Sequence, residues 1–228
     1  MSNKWYKGTL DPVKAYEVWK YNKDFMAAHP EYFLPDGILV FSGPQSSGKT
    51  ISMVQYILGL CEQFPGVVVC SNISIKLPEH IKFIKWTGVE CFAQVRNSFA
   101  GVIFALDEIH IIFNSLESKK MDTQIFETVS QQRKQRIHIV GTAQVTMRIA
   151  KPFREQFKYL VVCKNYFKCL QFNTLVDVQS ATIDDNGVIV EANTKKFLWF
   201  HTPELYESYD TYEVVKKFGS DLGVVKCL

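Results

Sequence analysis

Gly43-Pro44-Gln45-Ser46-Ser47-Gly48-Lys49-Thr50 matches the pattern G-x-x-x-x-G-K-[ST], and its flanks decide how it is read. Ile38-Leu39-Val40-Phe41 ahead of it is a continuous apolar run of strand length, and Ile51 to Gln63 behind it has helical character. Strand, glycine loop and helix in that order are what a phosphate-binding loop requires. Glycines at 43 and 48 permit a tight turn whose backbone N–H groups, with the start of the helix, face an anion. The octet Gly43, Pro44, Gln45, Ser46, Ser47, Gly48, Lys49 and Thr50 is therefore the expected cradle for a nucleotide's phosphates. Lys49 is placed to reach the β- and γ-phosphates, and the Thr50 hydroxyl to take one position on Mg²⁺.

A second stretch completes the chemistry. Gly101-Val102-Ile103-Phe104-Ala105-Leu106 is apolar and ends in Asp107-Glu108. An acidic residue at the carboxyl end of such a strand holds Mg²⁺ in nucleotide hydrolases, which is the role expected of Asp107. Glu108 beside it suits a general base that deprotonates the attacking water, which favours hydrolysis over transfer to a bound acceptor. His110 reads as a loop or core histidine, with γ-phosphate sensing as the alternative. Ile137 to Gln144 reads as a further buried strand with a polar tip. If it neighbours the strand bearing Asp107, the Gln144 amide can report on the γ-phosphate or the water.

Outward from these elements the chain alternates strand and helix, as a mainly parallel sheet covered on both faces requires. Val67 to Ser71 follows a Pro65-Gly66 turn as a second strand, Val89 to Asn97 reads as a helix, and Lys158 to Cys163 as a fifth core strand. Before the core, Asp11 as N-cap and Pro12 at the first helical position start a helix to about Ala28. Its aromatics are expected to pack onto the core, or else to form a stacking platform for single-stranded nucleic acid. After the core the alternation ends. Cys169 to Val176 and Ala181 to Ala192 read as strands, the second folded about Asp185-Asn186-Gly187, and Phe197 to Phe200 as the last. The expected organisation is an aromatic helical extension (1–36), an ATPase core (37–166) and a β-hairpin and C-terminal extension of the same domain (167–228).

Of 228 residues 47% are hydrophobic, enough for a full core. No run approaches the length of a membrane span and the start lacks a secretory pattern, so a cytoplasmic protein is expected. The six cysteines show neither C-x-x-C pairs nor zinc spacing and read as reduced thiols. Net charge is +3, yet residues 119–168 hold eleven Lys/Arg against three Asp/Glu, a surplus of eight that leaves −5 elsewhere. That stretch is either a solvated basic face or a contact for a polyanion or another subunit.

The phosphate loop, Leu106-Asp107-Glu108 and Thr142-Ala143-Gln144 together resemble the additional-strand, catalytic-glutamate (RecA-like) branch of P-loop NTPases. Within it the chain is similar to the FtsK–HerA superfamily, and particularly to viral genome-packaging ATPases and zonular-occludens-toxin-like phage ATPases. The segment Thr202 to Thr211 is also similar to the zonular-occludens-like group. The resemblance spans about residues 37–212. It implies ATP and Mg²⁺ as ligands and a homo-oligomeric ring, usually of six subunits, with each site completed by an arginine from its neighbour. Two clusters offer such an arginine: Arg133 and Arg136, preferred because they precede the strand ending at Gln144, and Arg148 and Arg154 after it. Zonular-occludens-like proteins generally carry a membrane segment after the ATPase domain, and this chain stops at Leu228 without one. That favours a soluble packaging motor, in host cytoplasm or virion-associated.

The leading expectation is thus a Mg²⁺-dependent ATPase that translocates double-stranded DNA, as in viral genome packaging, with a capsid vertex as a further partner. The alternative is an assembly ATPase that drives virion extrusion or secretion of a protein. A small-molecule kinase is disfavoured by Glu108, and a GTPase by the absence of Asn-Lys-x-Asp downstream of the loop.

Overall fold

The computed structural model describes residues 11–35, 37–114, 135–144, 156–183 and 189–209. Short apolar runs with no charge survive in water only when both faces are covered, and they become the middle of the sheet. These are β1 (Gly37–Ser42), β2 (Val68–Ser71), β4 (Val102–Leu106) and β5 (Ile137–Ala143). Two further members are more exposed: β3 (Lys82–Lys85) and β6 (Phe157–Tyr166). All six run parallel, in the spatial order β6-β1-β5-β4-β2-β3. Beyond β6, β7 (Leu170–Asp177) and β10 (Thr194–Phe200) add on antiparallel, so the order of the eight-stranded sheet is β10-β7-β6-β1-β5-β4-β2-β3. β8 (Thr182–Ile183) and β9 (Ile189–Glu191) form a separate small antiparallel pair, where the hairpin about Asp185-Asn186-Gly187 was expected; the turn itself lies outside the described residues.

Alternation along each central strand sorts side chains to two faces. Leu39, Phe41, Val69, Ile103, Val140 and Val161 pack with Met53, Val54, Ile57 and Cys61 of α2 (Lys49–Gln63). Ile38, Val40, Cys70, Phe104, Leu106 and Ile139 pack on the other face with Phe92 of α3 (Cys91–Gln94) and Ile109, Ile112 and Phe113 of α4 (Ile109–Asn114). The last described helix is α5 (Pro203–Tyr206). Cys61, Cys70, Cys91 and Cys163 are buried free thiols, while Cys169 is free and exposed. Burial in the apolar core pushes the thiols of Cys70 and Cys163 up to about 12.

Three expectations need correction. The helix α1 (Pro12–Ala28) forms with Asp11 as its cap, its carboxylate accepting from the N–H groups of Val13 and Lys14, but none of its residues is buried. Its aromatics stack on one another instead, Tyr16 on Trp19 and Tyr21 on Phe25, and Phe25 meets Tyr32 edge-on. The helix read over Val89 to Asn97 stops at Gln94. Asn97 turns its side-chain amide to the carbonyls of Gly66 and Gly101, which offers the backbone a turn in place of another helical bond, and Ser98–Ala100 is a single 3₁₀ turn. The edge strand β3 was not anticipated, because three of its four side chains are exposed and its pattern is not apolar.

Candidate functional site

In a parallel sheet the carboxyl ends of β1, β4, β5 and β6 share one edge, and every expected catalytic group within the described residues except Arg136 lies on it. The loop 43–48 leaves β1 at this edge and enters α2 at Lys49. Gly48 holds φ +81°, left-handed backbone that favours glycine, and a Cβ there would also collide with the Gln171 carboxamide. The Lys49 side chain is buried and folds back over the loop, where its Nζ donates to the Pro44 carbonyl at 3.0 Å.

Because β4 and β5 are paired, with Leu106 opposite Gly141, the two strand tips are side by side. Thr50 Oγ1 donates to Asp107 Oδ1 at 3.0 Å, and Thr142 Oγ1 donates to the same oxygen at 2.7 Å. The Thr142 hydroxyl also accepts the Glu108 N–H at 2.9 Å. Gln144 Nε2 donates to Glu108 Oε1 at 3.2 Å, so the glutamine expected beside the acidic pair is in contact with it. His110 Nδ1 stands 3.1 Å from Glu108 Oε2, close but not aligned as a hydrogen bond. Glu108 itself has φ +51°, a conformation costing roughly a kcal/mol for an L-residue and concentrated at functional sites. The tip is held from the other side by Asn72, at the end of β2. Its amide donates to the Asp107 carbonyl at 2.9 Å, and its oxygen accepts the Asp107 N–H at 2.8 Å. Gly141 lets α4 lie close on β5 directly after Glu108; a Cβ there would come within 2.7 Å of Ile109.

Burial raises the Asp107 carboxyl above its ordinary range, and the neighbouring Glu108 adds to this. The two threonine hydroxyls and Lys49 pull it back without cancelling the effect. A desolvated carboxylate and a hydroxyl converging on one point are oxygen ligands of the kind Mg²⁺ takes, one or two from protein and the remainder from phosphates and water. Thr50 and Asp107 fit that ion. Among the described residues no cluster of three His, Cys, Asp or Glu side chains forms a self-sufficient metal cage, which suits an ion brought in by a nucleotide.

Arg136 does not join this group. It precedes β5, at the opposite edge of the sheet, about 20 Å away at 3.3 Å per residue. Its guanidinium lies 3.7 Å from the centre of the Tyr32 ring, and burial there lowers its pKa. Arg133, Arg148 and Arg154 lie outside the described residues.

Asn72 and Thr142 escaped the sequence reading as functional residues. The signal for Thr142 was a hydroxyl inside an otherwise apolar run; Asn72 had none beyond ending a strand. Gln171 and Asn173, buried on β7, were also missed. Gln171 Nε2 donates to the Ser47 carbonyl at 3.0 Å and to Asn173 Oδ1 at 2.8 Å, and Asn173 Nδ2 donates to Ser52 Oγ at 3.1 Å. Their alternation with partly exposed apolar residues reads as a half-solvated strand. Only the placement of α2 over β7 buries them.

No family model matches this sequence, and no curated protein matches it. Solved structures do. The N-terminal domain of zonular occludens toxin from Neisseria meningitidis superposes with a TM-score of 0.56 at 16% identity, over 78% of this chain and 100% of that one. A second ATPase domain gives 0.50 at 9% identity, over 91% of this chain and 100% of that domain. The genome-packaging NTPase B204 of Sulfolobus turreted icosahedral virus 2, in complex with ATP-gammaS, gives 0.49 at 12% identity, over 75% and 98%. The likeness is one of fold: a P-loop NTPase with a mainly parallel sheet flanked by helices, in the zonular-occludens and packaging-ATPase group that the motifs resemble.

Proposed function

We propose that this chain is a Mg²⁺-dependent ATP hydrolase that translocates double-stranded DNA, most simply for viral genome packaging, as a subunit of a homo-oligomeric ring. The observation that carries the hydrolase reading is the convergence of Thr50, Asp107, Glu108 and Gln144 on one edge of the sheet, beside the phosphate loop. Lys49 leaves the Pro44 carbonyl for the phosphates. Thr50 and Asp107 hold Mg²⁺, which supplies charge neutralisation for the β- and γ-phosphate oxygens. Glu108 accepts a proton from water as that water's oxygen bonds to the γ-phosphorus, and the bond to the ADP oxygen breaks. Gln144 fixes one oxygen of Glu108, so its amide is positioned to register loss of the γ-phosphate.

An arginine from a neighbouring subunit would complete the site. Arg133 and Arg136 remain the first pair to test, although the Tyr32 stacking gives Arg136 a competing structural role. DNA as the polymer rests on the basic surplus of residues 119–168, since lysines and arginines bind phosphates without reading sequence. The zonular-occludens likeness supports a second reading, an ATPase that acts on protein during virion assembly or secretion. Among the described residues no helix is long and apolar enough to cross a membrane.

ATP hydrolysis measured with and without double-stranded DNA, at two salt concentrations, separates the readings, with Glu108→Gln as the control. Stimulation that fades with salt and disappears in the variant is the expected result. Hydrolysis that needs Glu108 and ignores DNA moves the reading to the protein-directed ATPase. No Glu108-dependent hydrolysis at all removes both.

A further inference from the structure

The β-rich extension has a specific contact with the phosphate loop that the hydrolytic chemistry does not use. Gln171 sits on β7, two strands away from β1, and is fully buried. Its amide nitrogen must face the Ser47 carbonyl, because a carbonyl only accepts. That settles the orientation of the carboxamide. Both of its donors are then used, by Ser47 and Asn173. Its oxygen faces His201 Nε2 at 3.1 Å, which places the donated proton on that nitrogen. His201 Nδ1 meets the Tyr206 hydroxyl, which donates to the Lys168 carbonyl at 2.8 Å, so the chain of contacts ends on the β6–β7 turn and α5. Such a fully partnered amide has one orientation available to it.

A trans peptide unit points its C=O and its N–H in opposite directions. The unit joining Ser47 to Gly48 is trans, so whatever fixes the Ser47 carbonyl also aims the Gly48 N–H the other way. Gln171 pulls that carbonyl outward toward β7. The Gly48 N–H, one of the donors of the phosphate cradle, is thereby turned toward the loop's interior. Gln171 also packs on the bare Cα of Gly48, where a Cβ would strike it.

We propose that Gln171 is a positioning residue for nucleotide binding. Through the Ser47–Gly48 peptide it pre-orients a phosphate-binding N–H, with Asn173 and His201 holding its amide in place. This rests on the ATP-binding reading of the phosphate loop. A donor aimed before the nucleotide arrives grips ground state and transition state alike, so its loss raises KM and leaves kcat nearly unchanged.

The test is binding of a fluorescent N-methylanthraniloyl-ADP with Mg²⁺ to the full chain and to Gln171→Met, alongside steady-state ATP hydrolysis. Wild-type binding with affinity about tenfold weaker in the variant, and a matching rise in KM at constant kcat, is the expected result. Wild-type binding with affinity in Gln171→Met unchanged within about twofold overturns the proposal and leaves the ATPase reading standing. A wild type that binds no nucleotide removes both. A loss of kcat or of melting temperature at constant KM marks Gln171 as structural only, which also overturns it. Should Gln171→Met fail to fold, His201→Phe removes the donor to the Gln171 oxygen while the amide stays; unchanged nucleotide affinity there overturns the proposal equally.

Discussion

The central strands β4 and β5 and the outer strand β10 belong to the same sheet and obey different rules. Every described residue of β4 and β5 is buried, and His138 and Thr142 are the polar side chains of β5 enclosed with them. In β10 only Trp199 is even partly covered, while Phe197, Leu198 and Phe200 stand in solvent. Apolar character therefore does not distinguish the two; position in the sheet does. In the centre a polar group is retained only with a partner, and those partners converge on the catalytic edge. Thr142 bonds Asp107 and Glu108, and His138 bonds Tyr56. At the periphery the same side-chain types cost little and specify little.

That contrast can be broken at several points. Glu108→Gln has the largest expected effect, a loss of about 10²–10⁴ in kcat with nucleotide affinity kept, measured by phosphate release. Phe104→Ala removes a fully buried ring of β4 that packs edge-on against Phe92 and Trp86, and is expected to cost about 3–5 kcal/mol in chemical denaturation. Thr142→Val keeps shape and removes both hydroxyl contacts. The expected outcome is about 1–3 kcal/mol of stability and a fall in kcat, since the Glu108 N–H loses its acceptor.

Asp107→Asn sharpens the comparison in the opposite direction. The folded-state pKa of Asp107 is raised, so its contribution to stability is present at low pH and lost as pH rises through that value. Without nucleotide, the Asp107→Asn variant is therefore expected to melt higher than wild type at neutral pH, with the difference closing in acid, and to have lost Mg²⁺-dependent hydrolysis. Equal melting temperatures at both pH values would count against a desolvated carboxylate. Leu198→Ser on β10 closes the series at the smallest effect, within about 0.5 kcal/mol by the same denaturation. A larger loss would mean that β10 is covered in solution.

The sequence by itself determined the phosphate loop, the acidic strand end and the alternation of strands and helices, because each is encoded by neighbours in the chain. A glycine octet between strand and helix has one reading, and a buried run ending in Asp107-Glu108 has few. Placing Gln144 against Glu108 needed only the added premise that two strands adjoin. Tertiary structure alone decided what holds those groups. Asn72 reaches Asp107 across 35 residues, Thr142 reaches it across the same separation, and Gln171 reaches Ser47 across 124. No local pattern records such contacts, since an amide or hydroxyl at a strand end looks alike whether it faces water or a carboxylate. The exposure of α1 was equally hidden: aromatics at helical spacing announce an apolar face, and only the packed molecule shows whether the core has room for it.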